Sequence, residues 1–438
     1  MPSPMLQTVM VDSGKRGSRT AGRRPDIDRR SFLTASGASA LAATAGCLGG
    51  GGGSSDGITI GGLFGLPGDH PAGTGMKQTT EVLVENLNAD GGLLGEEVEL
   101  VTRDTEFDPA TARDGYRELI LDESVDVTTG IYSTEVGTAI FDEVPEFETI
   151  HLTGGSAPDR PMENYDDYKY WFRGIHGGYL GRATANYAAS HFEDLGITEV
   201  GIAAEDVDGF DPVLEEFAAG LPSSVNVHFE ERFSSDTSDF SPILDQGEQN
   251  DIQMMVGFVS QGGSALMSQW AQRQPNYMFG GGDVFSSNPD RWENTSGEVE
   301  YVWSYIGGAA PGLEVTETTS QLIEDHRSMF DGAAPPHAQS YTQYDAILTW
   351  AEAVKEAETT DIDEVVSTIE EMTLEGSTGT LDWYGEDGEL PHTPQFGEEY
   401  VHPPVMQWQE VDGEGRQIGL YPDTVRSGEL QIPPWVSL

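Results

Sequence analysis

Residues 128–158 read TTGIYSTEVGTAIFDEVPEFETIHLTGGSAP. The order predicts an apolar strand, a tight loop, a helix, a second strand and a second tight loop. Both loops are built of Gly, Ser and Thr: Gly130-Ile131-Tyr132-Ser133-Thr134, then Thr153-Gly154-Gly155-Ser156. In an open α/β sheet, ligands bind beyond the carboxyl ends of the strands. Free backbone N–H groups and small hydroxyls at such ends can hold a carboxylate or similar oxyanion. The two loops are therefore read as half of a ligand site.

The flanking sequence repeats the pattern. An apolar run, ITIGGLF at 58–64, predicts a strand that Gly65-Leu66-Pro67-Gly68 turns out of. Helical spacing over 73–88, a strand at 97–103 and a helix opened by Asp108-Pro109 follow. Alternation at this spacing implies a parallel sheet with right-handed crossovers. A second series is expected to begin near Tyr170-Trp171-Phe172-Arg173, with strands at 199–204, 225–232, 252–258 and 277–280. Long helices at 318–330, 340–358 and 362–372 then precede short strands at 379–383, 404–409 and 417–420. The expected fold is α/β: two Rossmann-like lobes with parallel sheets and a hinge of several crossings. Their bounds are 57–175 with about 306–384, and 176–305 with about 385–438. A cleft between lobes suits a small molecule, and closure around it is the natural motion.

The first 56 residues read as an address. Asp28-Arg29-Arg30-Ser31-Phe32-Leu33 has twin-arginine form, and the small-residue run at 35–45 is too short to span a bilayer. Residues 1–46 are read as a signal peptide ending in a lipobox-like Thr44-Ala45-Gly46-Cys47. Cys47, the only cysteine, is expected to carry the lipid, and 47–56 to form a Gly/Ser tether. No internal disulfide is possible with one cysteine. The protein is expected to be exported and anchored at the outer face of the cell membrane.

Charge bounds its partners. The chain holds 22 Lys and Arg against 75 Asp and Glu, a net −53. Seven basic and three acidic residues precede residue 47, so the mature chain keeps 15 and 72. Self-repulsion of this size strains a compact fold in dilute buffer, whereas at molar salt the Debye length is about 3 Å. The composition resembles that of halophilic proteins. It also argues against nucleic acid, which needs basic surface. We expect cooperative structure to be lost in low salt; a melting temperature equal in dilute and molar KCl would contradict this.

Several motifs in order resemble a known family: Gly130-Ile131-Tyr132-Ser133, Thr153-Gly154-Gly155-Ser156-Ala157-Pro158, Phe172-Arg173, Tyr344-Asp345-Ala346 and Gly379-Thr380-Leu381-Asp382-Trp383. The chain is similar over residues 57 to about 410 to type I periplasmic-type solute-binding proteins of ABC importers, in the branched-chain amino acid, amide and urea class. The resemblance implies capture of a small polar solute, an amino acid above all, for permease subunits with a separate ATPase. It implies that Ser133, Thr134, Gly154, Gly155 and Ser156 hold a ligand carboxylate and that Asp283 pairs with an ammonium. Phe64, Tyr132, Phe210 and Ser260 would complete the pocket wall. Arg173 is read as a brace of the hinge and Asp345 as structural. No cofactor or metal is implied. An amide or urea binder, or a sensor feeding a receptor, are the alternatives.

An enzyme is disfavoured. No Gly-x-Ser-x-Gly elbow, His-Glu-x-x-His pair or phosphate loop occurs, and the nine histidines are scattered. Asn294-Thr295-Ser296 is a glycosylation sequon, compatible with any exported protein.

Overall fold

The computed structural model describes residues 57–155, 164–260 and 263–438. The signal peptide, Cys47, the tether and Ser156 lie outside them.

Strand β1 (Ile58–Phe64) is buried on both faces, so its residues are a continuous apolar run rather than an alternating one. It pairs in parallel with β2 (Val98–Asp104), Ile58 opposite Val98, and with β3 (Val127–Gly130), Ile60 opposite Val127. β4 (His151–Thr153) and β5 (Trp171–Arg173) extend the sheet in the order β2-β1-β3-β4-β5. Trp171-Phe172-Arg173 is thus the edge strand of the first sheet, not the start of a second series. Asp108 caps the helix Pro109–Leu121 as expected, its Oδ1 accepting from the N–H groups of Ala110 at 3.0 Å and Thr111 at 2.8 Å.

The second sheet runs β14-β13-β10-β9-β8-β6-β7. Its parallel part is β6 (Glu199–Glu205), β7 (Asn226–Phe233), β8 (Met254–Val259), β9 (Met278–Asp283) and β10 (Trp303–Tyr305). β13 (Val405–Val411) and β14 (Glu414–Tyr421) add to it in antiparallel sense. Both sheets therefore have the expected parallel core, and the second carries two antiparallel strands at one edge. The run at 379–383 forms β12 (Thr380–Asp382), which pairs with β11 (Thr373–Glu375) in a separate two-stranded ribbon.

Between β10 and β13 the chain returns to the first sheet. Leu322, Ile323, Tyr341, Trp350, Val365 and Ile369 of the late helices share a core with Ile58, Ile60, Val127 and Leu152. Among the described residues the chain therefore passes between the sheets three times, after β5, after β10 and before β13. Two of these passages are tied down. Arg173, buried at the end of β5, donates from Nε to Thr393 Oγ1 at 2.6 Å, and its N–H donates to His392 O at 3.0 Å. The helix Gln339–Ala357 starts between the sheets. The N–H of Ala338 donates to Ser287 Oγ at 3.2 Å, and the hydroxyl of Thr342 donates to Gly154 O.

Asp345, on that helix, is structural. It is 1% exposed and accepts from Ser377 N, Thr378 N (2.9 Å) and Thr378 Oγ1 (2.6 Å), fixing the loop before β12. Burial pushes its carboxyl up to about 6 against the downward pull of those donors.

Candidate functional site

The carboxyl ends of both sheets border one cavity of about 160 Å³. On the first side, β3 ends in a turn with two successive positive φ angles, +107° at Gly130 and +64° at Ile131. A β-branched residue in that region is strained. The turn is held by Leu63 O, which accepts from Ile131 N at 2.7 Å, and by Thr153, whose hydroxyl donates to Ile131 O at 2.9 Å. Gly130 is required here, because a Cβ would stand 2.2 Å from Leu63 O.

This turn delivers Tyr132, Ser133 and Thr134 to the cavity wall, at the start of the helix Thr134–Phe141. Ser133 precedes the helix but its side chain makes no capping bond. The first N–H groups of any helix lack intrahelical partners, so hydroxyls and N–H groups converge beside the cavity. From the second loop Gly155 joins the wall.

Gly154 does not. Its N–H donates to Gln343 Oε1 at 3.3 Å, and a Cβ there would stand 2.3 Å from Gln343 Cα. The glycine lets the helix Gln339–Ala357 approach the sheet. Phe64 is 1% exposed and belongs to the interior, beside Gly62, rather than to the cavity wall.

On the second side, Phe210 and Ser260 line the cavity. Ser260 is oriented from below: its N–H and hydroxyl both donate to Glu205 Oε2, at 2.7 and 2.9 Å, and Glu205 is fully buried. Asp283 is not in the wall. Its Oδ2 accepts from Arg291 Nη2 at 2.8 Å and Ser286 Oγ at 3.0 Å, and its Oδ1 accepts from Phe285 N at 3.1 Å. The expected ammonium acceptor is thus part of a buried ion pair, with Asp283 3% and Arg291 8% exposed. Arg291 is held further by Ser264 Oγ at 3.1 Å and lies 5.9 Å from the Phe285 ring.

The wall also holds residues that the sequence reading did not select: His70, Phe285, Tyr305 and Gln339. His70 meets Tyr132 at 5.5 Å and Phe285 at 6.3 Å, so rings from both sheets touch. Behind them His337 meets Tyr132 at 5.7 Å and Phe285 at 6.3 Å. Each of His70, Phe285 and Tyr305 follows or ends a strand at its carboxyl end, so the rule that selected Thr134 could have found them once the strand order was known.

The wall is electrically quiet. Burial lowers the His70 imidazole, and burial with the neighbouring His70 lowers His337 to about 3. Burial first, then Glu205 and Glu135, pushes the Tyr132 phenol up to about 12. Burial likewise raises Tyr305 well above the usual phenol range. At neutral pH both phenols are donors and both imidazoles are uncharged. Among the described lining residues Glu135, exposed in the first turn of its helix, is the one ionised side chain. Among the described residues no group of three or more His, Cys, Asp or Glu could hold a metal ion, and no helix is long and apolar enough to cross a membrane.

Residues 57–398 match the family described as periplasmic binding protein. The match covers well over half of the chain, which therefore belongs to that family. A curated relative, the Leu/Ile/Val-binding protein homolog 7 of Brucella suis, is 23% identical over 375 residues, 81% of this chain and 88% of that one. The branched-chain amino acid transporter substrate-binding protein LivJ of Streptococcus pneumoniae, solved with isoleucine, has a TM-score of 0.68 at 16% identity. That likeness covers 84% of this chain and 100% of LivJ. A solute-binding protein of an ABC transporter from Rhodopseudomonas palustris, solved with 3,4-dihydroxybenzoic acid, has a TM-score of 0.65 at 18% identity, covering 83% and 96%. These likenesses show the type I periplasmic binding protein fold, and the family and these relatives are binding proteins.

Proposed function

We propose that this binding protein captures a small carboxylate-bearing solute in the cavity between its two sheets and hands it to a membrane permease driven by a separate ATPase. One observation carries the reading. Ser133 and Thr134 stand at the start of a helix, beside the cavity, and among the described residues neither hydroxyl has a hydrogen-bond partner. An anion placed there meets unpartnered N–H groups, hydroxyls and the positive end of the helix dipole. The ligands of the two solved relatives, isoleucine and 3,4-dihydroxybenzoic acid, share a carboxylate and little else.

Residues 57–175 with about 306–384, and 176–305 with about 385–438, are taken as lobes that close on the solute. Affinity then depends on contacts made better in the closed state. Export through the twin-arginine segment and a lipid on Cys47 would hold the protein outside the cell membrane, with residues 47–56 as tether.

A thermal-shift screen of the full chain in molar KCl tests the reading, with amino acids, amides, urea and short carboxylates as ligands. A saturable rise with carboxylates, lost in Ser133→Ala/Thr134→Val, is expected by linkage. A rise with amides or urea alone would replace the carboxylate reading.

A further inference from the structure

We infer that the cavity takes a one-ring aromatic carboxylate with a neutral hydroxyl away from the carboxylate, rather than an α-amino acid; this rests on the solute-binding reading above. The lining is the first argument. A cavity of about 160 Å³ admits a one-ring guest and an aliphatic amino acid of similar size alike, so the wall makes the choice. Its wall is the right surface: Tyr132, Phe210 and Phe285, with the uncharged His70 edge-on to Phe285 and tilted against Tyr132. Ring-on-ring contacts of this kind favour an aromatic guest over an aliphatic one of equal area.

The second argument is charge. An α-ammonium needs a carboxylate that faces it. Asp283 is already engaged by Arg291, Ser286 and the Phe285 N–H, and it is not in the wall. Glu205 lies beneath Ser260 and accepts both of its donors. Using either for an ammonium would first break a buried arrangement that holds the wall itself. Glu135 is exposed, where molar salt reduces its attraction to a contact term.

The third argument is an unmatched polar atom. Tyr305, 2% exposed, ends β10 on the second side of the cavity, and among the described residues its hydroxyl has no hydrogen-bond partner. A phenolic hydroxyl on the guest can accept from it. The carboxylate of the same ring then lies on the first side, at Ser133 and Thr134.

Titration calorimetry of the full chain in molar KCl decides this, with 4-hydroxybenzoate, benzoate and isoleucine as probes. We expect 4-hydroxybenzoate to bind about five- to tenfold more tightly than benzoate, the ratio of one hydrogen bond, and isoleucine to bind more weakly than either. Tyr305→Phe should weaken 4-hydroxybenzoate about five- to tenfold more than it weakens benzoate. Isoleucine binding more tightly than both aromatic acids would overturn the inference and leave the solute-binding reading intact. An equal effect of Tyr305→Phe on the two acids would overturn the placing of the hydroxyl. Saturable binding of none of the three would overturn both the inference and the carboxylate cradle it rests on.

Discussion

The loops after β3 and β4 differ in kind from those after β8 and β9, although all four border one cavity. On the first side the hydroxyls of Ser133 and Thr134 have no partner among the described residues. On the second side the acids are already engaged: Asp283 with Arg291, Glu205 with Ser260. The first side thus offers hydroxyls to the cavity, whereas the acids of the second shape its wall. In a chain with 75 acidic residues, an acid near a strand end is weak evidence of a ligand contact. Its existing partners are what decide its role.

The sharpest way to break this contrast is Arg291→Met. It would leave the Asp283 carboxylate buried without its cation, and we expect about 3–5 kcal/mol of stability to be lost in denaturant titration at molar KCl. The double variant Asp283→Leu/Arg291→Met should recover most of that loss, because a matched apolar replacement of a buried pair is close to neutral. Equal losses in the single and double variants would show that the pair does not work as a unit.

On the first side the expectation is inverted. Ser133→Ala and Thr134→Val should each change stability by less than about 0.5 kcal/mol. Each should weaken the carboxylate ligand by about tenfold, close to 1.4 kcal/mol. A large stability loss with unchanged affinity would assign these hydroxyls to the fold after all.

The smallest expected effect lies at the seam, where His337 touches Tyr132 from one side and Phe285 from the other. Burial holds His337, His151 and His176 near 3, against 6.5 for an exposed imidazole. The unfolded chain then binds more protons than the folded one between about 3 and 6.5, so stability falls as pH is lowered through that window. Each histidine should contribute about 1 kcal/mol of loss at pH 5.5 relative to pH 7.5. Asp345, raised to about 6, acts in the opposite sense between its ordinary 3.8 and that value. Melting temperatures across this range, with His337→Gln as comparison, should show a shallower acid slope in the variant. An unchanged slope would mean that His337 is protonated in the fold.

Much of the fold was legible because it rests on local chemistry. The apolar run of β1 and the Asp108 cap carry their own boundaries. The strands β13 and β14 were legible too, but not their antiparallel sense, since that depends on which partner a distant segment meets. At the site, Tyr132, Ser133, Thr134 and Gly155 could be read from loop position and Phe210 and Ser260 only from the family resemblance, and all six line the same cavity. Asp283 could not, because Arg291 lies in a following helix whose direction the sequence does not state. Nor could Phe64: in a strand buried on both faces, alternation no longer tells which side chain faces which layer. Gly154 looked like a ligand loop because a glycine that admits a helix and one that admits a ligand are spelled alike.

The start of the helix Gln339–Ala357 has a mechanical consequence. Ala338 packs in a core of the second sheet and Tyr341 in a core of the first, only three residues later. Gly308 fits there because a Cβ would stand 2.3 Å from Ala338 O, and Gln343 Nε2 reaches Thr129 Oγ1 at 2.7 Å. We propose that the two sheets open as bodies by a swing about this turn rather than by drawing apart, and a pair of dyes, one on each body, would report that angle directly.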